Sequence, residues 1–244
     1  MTTSDTFISH LIELRTRLIR ALVGMLIAFI CLFPFANRLY TLLAQPLIAK
    51  LPAGAHIIAT AVTTPFFVPM KVAMLAALLI SLPHTLYQFW KFIAPGLYPH
   101  ERRFILPMVV ASTVLFFIGM SFAYFLVFPV IFGFIVSTTP QGVQVMTDIG
   151  NYLDFVSSLL IAFGVAFEVP ILVVALVKFG WVSLQQLKDA RPYAIVGAFV
   201  IGAIFTPPDV VSQTMLAVPL WILYEAGVFV SSFIAKTEPI AKTD

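Results

Sequence analysis

The sequence predicts an all-α integral membrane protein with six transmembrane helices and both termini in the cytoplasm. Three observations carry this expectation. Of 244 residues, 61% are hydrophobic and only 10% charged, whereas a soluble domain carries about a quarter charged residues. The apolar residues gather into runs long enough to cross a bilayer. The 14 Lys/Arg are divided unequally between the connections on the two sides. A water-soluble fold has no means of hiding 24 Phe and that much apolar surface. Soluble enzyme, disordered chain and nucleic-acid binder are therefore excluded. The net charge of +3 reads as loop charge, not as an anion-binding surface.

A span needs about 20 apolar residues to cross a hydrocarbon core of roughly 30 Å. Ahead of the first span, Asp5–Leu18 has the pattern of an amphipathic helix. Phe7, Leu11, Leu14 and Leu18 fall on one face, and His10, Glu13 and Arg17 on another. The runs Leu18–Phe35, Phe67–Trp90, Phe104–Val136 and Phe155–Val177 supply four spans. The first lacks a convincing small-residue cleavage site and is expected to be retained. The 30-residue connection Ala36–Pro65 contains Pro46, Pro52 and Pro65. Its Leu39, Leu42, Leu43 and Leu47 predict short helices lying on the membrane surface as a cap.

The third run is long enough to cross with tilt, and Pro107 and Pro129 are placed to bend or end it. Two shorter runs follow, Tyr193–Thr206 and Val210–Tyr224, separated by Pro207-Pro208. The fifth span, about 14 residues, reaches only about 21 Å. The sixth, counted to Glu225, has the same deficit, so the bilayer beside the pair should thin or admit water. No repeat or linker divides the chain. The expected organisation is one membrane domain over 1–244, with a cytoplasmic N-terminal helix at 1–17, a periplasmic cap loop at 36–66 and a cytoplasmic tail at 230–244.

Orientation follows from the basic residues. With six spans the termini share a side, and that side holds 11 of the 14 Lys/Arg, among them Arg15, Arg17, Arg20, Arg102 and Arg103. The other side holds Arg38, Lys50 and Lys71. The termini are therefore expected inside.

The few acidic residues are the candidates for function. Glu13 and Arg17 are spaced i,i+4 in the favourable order. Locally this is either one interfacial salt bridge or a carboxylate open to a cationic ligand. In the connection Phe92–Arg103, Pro95 and Pro99 stiffen the chain and Leu97 and Tyr98 put apolar surface beside Glu101. Glu101 either neutralises Arg102 or Arg103, or accepts a guanidinium pair through charge-assisted bonds. Glu168 lies well inside the fourth span, where an ionisable group costs about 2.5–3.5 kcal/mol. It is either a functional residue or a hydrogen-bonded structural one, and Pro170 frees a backbone carbonyl nearby. Thr206, Asp209 and Gln213 cluster at the hairpin between the fifth and sixth spans. Ala194, Ala198 and Gly202 form a small-residue ladder on the fifth. No nucleotide loop, zinc-protease or serine-hydrolase motif occurs, the four His are scattered, and Cys31 is alone, so no enzyme chemistry, cofactor or metal is expected.

Three segments, His10-Leu-Ile-Glu-Leu-Arg-Thr-Arg-Leu18, Phe92–Arg103 and Thr206-Pro-Pro-Asp-Val-Val-Ser-Gln213, together with Phe167-Glu-Val-Pro170, resemble the signature segments of the TatC family. This family provides the multispanning receptor subunit of the twin-arginine protein translocase, and the resemblance is strongest to enterobacterial-type members. It covers essentially the whole chain. It implies a concave, glove-like arrangement of six helices with a short fifth and sixth, in the bacterial cytoplasmic (inner) membrane. It implies that Glu13 and Glu101 receive the paired arginines of a signal peptide, with Arg15, Arg17, Phe92, Pro95, Leu97 and Arg103 lining or supporting the site. Glu168 would be the intramembrane polar residue, and Pro46, Thr206, Asp209 and Gln213 would serve assembly or partner contact. The implied partners are TatA- and TatB-type single-span subunits, twin-arginine signal peptides of folded cargo, further copies of the chain in a multimeric complex, and the bilayer, with transport driven by the proton-motive force. A proton-coupled small-solute transporter with Glu168 as relay is the rival reading, and it lacks the paired discontinuous helices common in transporters.

Overall fold

The computed structural model describes residues 3–48, 57–93, 105–137, 146–205 and 210–237, and these segments are almost entirely helical. Five stretches are long and apolar enough to cross a membrane: Leu11–Gln45, Thr64–Ile93, Ile105–Phe134, Ile149–Lys178 and Gln213–Phe233. A sixth apolar helix, Arg191–Ile204, is shorter. Each of the six expected spans has its helix, which makes the chain an all-α, multi-pass membrane protein.

In chain order, α1 (Thr3–Leu32) joins the amphipathic entry segment and the first span without a break. A 3-10 turn at Phe33–Phe35 leads into α2 (Ala36–Ile48), within the connection where short helices are expected. The strand β1 (Ile57–Ile58) precedes α3 (Thr64–Ile93). Next come α4 (Ile105–Phe122) and α5 (Phe128–Ser137), continuous through a π turn at Ala123–Val127. Pro129, just beyond that turn, has no N–H for the regular ladder, and the wider turn absorbs the mismatch. The strand β2 (Thr147–Asp148) pairs in parallel with β1, Ile57 opposite Thr147 and Ile58 opposite Asp148.

The fourth span is divided into α6 (Ile149–Ala166) and α7 (Val169–Lys178) by a turn at Phe167 and Glu168. Pro170 cannot donate to Ala166, and that missing bond explains the break. Gly180, at φ +69°, ends α7 in the left-handed conformation that glycine adopts without penalty. A capping box of Ser183 and Gln186 starts α8 (Leu184–Asp189). Finally α9 (Arg191–Phe205) and α10 (Val210–Thr237) flank the Pro207-Pro208 segment, which lies outside the described residues.

The chain folds as two compact units. The first comprises Met1–Thr113 and Phe132–Ser157. In it α1 and α2 both pack on α3. Tyr152 on α6 donates its hydroxyl to the Leu43 carbonyl of α2 at 2.9 Å, inside the core. Asp148 ties the unit together at one end. Its Oδ1 caps α6 by accepting from the Gly150 and Asn151 N–H groups at 2.8 and 3.1 Å. Its Oδ2 accepts from the N–H and hydroxyl of Thr60, ahead of α3, at 3.0 and 2.7 Å.

The second unit comprises Val114–Ile131 and Ser158–Asp244. Here α4 and α6 approach closely through glycines. A Cβ on Gly119 would lie 2.5 Å from the Phe163 carbonyl oxygen, and one on Gly164 would lie 2.5 Å from the Phe116 ring. Around α10 pack α7, α8 and α9. Val173, Leu187 and Val228 form the buried cluster between α7, α8 and α10.

One expected length is corrected. The sixth span was expected to be about as short as the fifth, ending near Glu225; α9 is indeed 15 residues, but α10 runs 28 residues to Thr237. The charge at Glu225 does not end the helix because Arg191 neutralises it at 2.8 Å. Beyond it Gly227, Val228 and Ser231 are buried, with Gly227 seated on Pro170 and Val173 of α7. The helix thereby takes in the first part of the expected tail at 230–244.

Two predictions follow from these contacts. The Thr60 hydroxyl first, then the backbone N–H groups, hold the Asp148 carboxyl down to about 2 from an ordinary 3.8. Because the folded value is the lower one, the clip is fully present above about pH 4 and is lost as pH falls toward 2. Asp148→Asn should lower the Tm in detergent at pH 7, and its gap from wild type should close between those pH values. In the second unit, Gly119→Ala meets backbone that cannot yield and should cost about 1–3 kcal/mol. Gly133→Ala, with nothing within 4 Å of the new carbon, should leave the Tm unchanged or raised.

Candidate functional site

The residues described around the proposed receptor site all belong to the first unit. Glu13 and Arg17 sit one turn apart on α1, and the Arg17 Nε donates to Glu13 Oε1 at 2.9 Å. Arg17 Nη2 contacts the same oxygen. Both contacts fall on Oε1.

The more buried face of α1 carries Glu13 and Arg17, not the leucines. Leu11, Leu14 and Leu18 are 47%, 42% and 57% exposed, whereas the Arg17 and Glu13 side chains are only 13% and 29% exposed. The half-buried stripe continues from Glu13 and Arg17 through Ala21, Gly24 and Ala28. Small residues let α1 approach α3, while leucines can face acyl chains as readily as protein. Arg15, two residues from both Glu13 and Arg17, is exposed on the other side of the helix.

Two side chains that sequence reasoning passed over fix α3. His84 Nε2 lies 3.2 Å from the Arg20 carbonyl oxygen on α1. A carbonyl only accepts, so Nε2 carries the proton. The ring fits because residue 24 is glycine: a Cβ there would stand 2.9 Å from His84 Cδ2. Near the end of α3, buried Trp90 donates its indole N–H to Ser112 Oγ of α4 at 3.3 Å. This bond ties together the two helices that flank the connection containing Glu101. The available signals were an imidazole inside an apolar run and a buried indole needing an acceptor. Composition alone names no partner for either.

Of the other expected receptor residues, Phe92 lies half-buried in the last turn of α3. Pro95, Leu97, Glu101 and Arg103 lie outside the described residues, as do Thr206 and Asp209. Pro46 falls within α2.

Glu168 is in the second unit, at the turn between α6 and α7, and is 9% exposed. Its backbone N–H reaches Val165 at 3.0 Å and its carbonyl accepts from Leu172 at 2.9 Å. The carboxyl therefore sits at a break in the span. Gln213 Nε2 donates to the Phe199 carbonyl of α9 at 3.0 Å. Its backbone oxygen stands 3.0 Å from where a Cβ on Gly202 would lie. The ladder's Ala198 is buried, so the ladder serves the α9–α10 hairpin, closed at its other end by Arg191 and Glu225.

With the geometry in place, comparison with known proteins is informative. The family model described as Sec-independent protein translocase protein (TatC) matches residues 9–219. A TatC of Escherichia coli (strain K12) is 53% identical over 235 residues, covering 96% of this chain and 91% of that protein. A TatC of Aquifex aeolicus (strain VF5) is 38% identical, covering 93% and 95%. A crystal structure of the twin-arginine translocase receptor TatC superposes with a TM-score of 0.82 at 39% identity, covering 93% of this chain and 99% of that one. Matched in sequence along nearly its whole length and in fold to a solved member, the chain belongs to the TatC family of Sec-independent protein translocase proteins.

Proposed function

We propose that this chain is the signal-peptide receptor and core subunit of a twin-arginine translocase, exporting folded proteins across the bacterial cytoplasmic membrane. The observation that carries the reading is the state of Glu13. Its carboxylate is half-buried on the face of α1 that also carries Gly24 and is oriented by Arg17 through one oxygen, and an incoming guanidinium would engage the other. Glu101 supplies the second carboxylate, and Arg15, Phe92, Pro95, Leu97 and Arg103 complete the site. An arginine fork engages a carboxylate through two parallel bonds, whereas lysine presents a point charge. Two glutamates therefore select two arginines.

The distribution of Lys/Arg supports a cytoplasmic location for both termini and this site. The signal peptide's apolar part then enters the bilayer beside the chain, and the proton-motive force drives transport. Glu168 is the intramembrane polar residue, single-span TatA- and TatB-type partners dock in part through Pro46, Thr206, Asp209 and Gln213, and copies of the chain associate in a multimer. At 15 residues α9 spans about 22 Å, short enough to thin the adjacent bilayer and ease the passage of cargo.

The test is binding of a twin-arginine signal peptide, and of its twin-lysine version, to the full chain in lipid nanodiscs. Wild type should prefer twin arginine. Glu13→Gln and Glu101→Gln should each weaken binding about ten- to a hundredfold, the loss of one charge-assisted interaction of about 1.5–3 kcal/mol. Equal binding of both peptides by wild type and both variants would sink the receptor reading.

A further inference from the structure

We propose that His84 is a positioning residue for signal-peptide recognition: its imidazole clamps α1 to α3 at Arg20 and so sets where Glu13 stands. The inference rests on the receptor reading and adds a part to it. His84 touches nothing in the site itself. Its ring reaches across the seam to a backbone carbonyl at 3.2 Å, and a backbone contact fixes the helix, not a mobile side chain.

Arg20 lies two turns from Glu13 along α1, about 10 Å. On α3, His84 precedes the helix end at Ile93 by nine residues, about 13 Å. Consecutive spans run in opposite directions, so Glu13 and the α3 end that leads toward Glu101 lie on the same side of the clamp. A slide or rotation of α1 against α3 would shift Glu13 relative to that end of α3. The clamp opposes both motions.

Gly24 is the matching part. It lies one turn beyond Arg20 on α1, and any Cβ there would stand 2.9 Å from the ring. The seam thus contains both a donor and the vacancy that admits it. Leucines elsewhere on α1 bring no such definition, because their exposed face is compatible with lipid at many rotations. A positioning bond of this kind affects recognition geometry more than stability, since interhelical hydrogen bonds in membranes contribute modestly.

The test measures three quantities on the full chain in nanodiscs: affinity for the twin-arginine peptide, thermal stability, and the distance between spin labels at the exposed positions Ile19 and Phe89. His84→Leu, which keeps bulk and loses the donor, should weaken peptide binding about three- to tenfold. It should also broaden the α1–α3 distance, with little change in Tm. His84→Gln restores a side-chain donor and should recover both affinity and distance. Gly24→Val, which displaces the ring but keeps the histidine, should mimic His84→Leu and stands in for it if that variant does not fold. Unchanged affinity and distance in His84→Leu, alongside weakened binding by Glu13→Gln, would overturn the positioning role and leave the receptor reading intact. If Glu13→Gln leaves binding unchanged, the receptor reading falls, and the positioning role falls with it whatever the spin labels report.

Discussion

Hydrocarbon offers neither donor nor acceptor to a peptide group, so each backbone N–H and C=O inside it must find its partner within the chain. Helices meet that demand locally, and the described segments are helical almost throughout. The same demand makes each departure from a helix informative. Where Pro129 removes a donor, the turn before it widens; where Pro170 removes one, the span divides and Glu168 occupies the break. At Pro170 the opened backbone thus coincides with a polar side chain inside the span. Charge obeys the same rule: Glu225 lies within an apolar helix, and Arg191 at 2.8 Å offsets its cost.

The bilayer also removes the hydrophobic drive that brings helices together in water, because lipid tails are as apolar as leucine. Shape and polar contacts must do that instead. Gly119 and Gly164 let α4 and α6 meet backbone to side chain, Gly202 admits the turn of α10 at Gln213, and Gly227 seats α10 on α7. Beside such approaches stand single interhelical hydrogen bonds, Gln213 to Phe199 and Tyr224 to Leu187 in one unit, and Trp90 to Ser112 in the other. The small residue sets the distance and the polar one sets the register.

These two demands explain which features were legible in the sequence. Spans were readable because run length and bilayer thickness are one-dimensional quantities, and the short α9 followed from its bracketing prolines. Faces were readable only in part. The leucine stripe of α1 was legible as an amphipathic face, but the side that meets α3 was not: lipid accepts leucine, and the half-buried small residues Ala21, Gly24 and Ala28 line the seam. The length of α10 was missed because Glu225 was taken as a boundary, a conclusion that holds only for a charge without Arg191 opposite. His84 and Gly24 are unremarkable singly and become a pair only across the seam. The Glu13–Arg17 spacing was visible, but the half-burial of the pair was not.

That half-burial bears on how the receptor discriminates. A carboxylate fully open to water gains little from any cation, since solvent screening and side-chain entropy nearly cancel the attraction. A fully buried one without a counterion is too costly to retain. Glu13 lies between these limits: it is part-buried, and Arg17 neutralises it through one oxygen. In the proposed receptor an arriving guanidinium would find the carboxylate already oriented, so less ordering entropy would oppose binding. Arg17 also sets a threshold: a ligand must compete with a charged neighbour, which penalises weak or poorly shaped cations more than a well-aligned fork. In the proposed receptor, two such sites engaged by one peptide would multiply their selectivities, because the second arginine would bind at the high effective concentration set by the first. The spacing between the sites would then matter as much as the chemistry of either, and the packing of α1 against α3 bears on it through the position of Glu13.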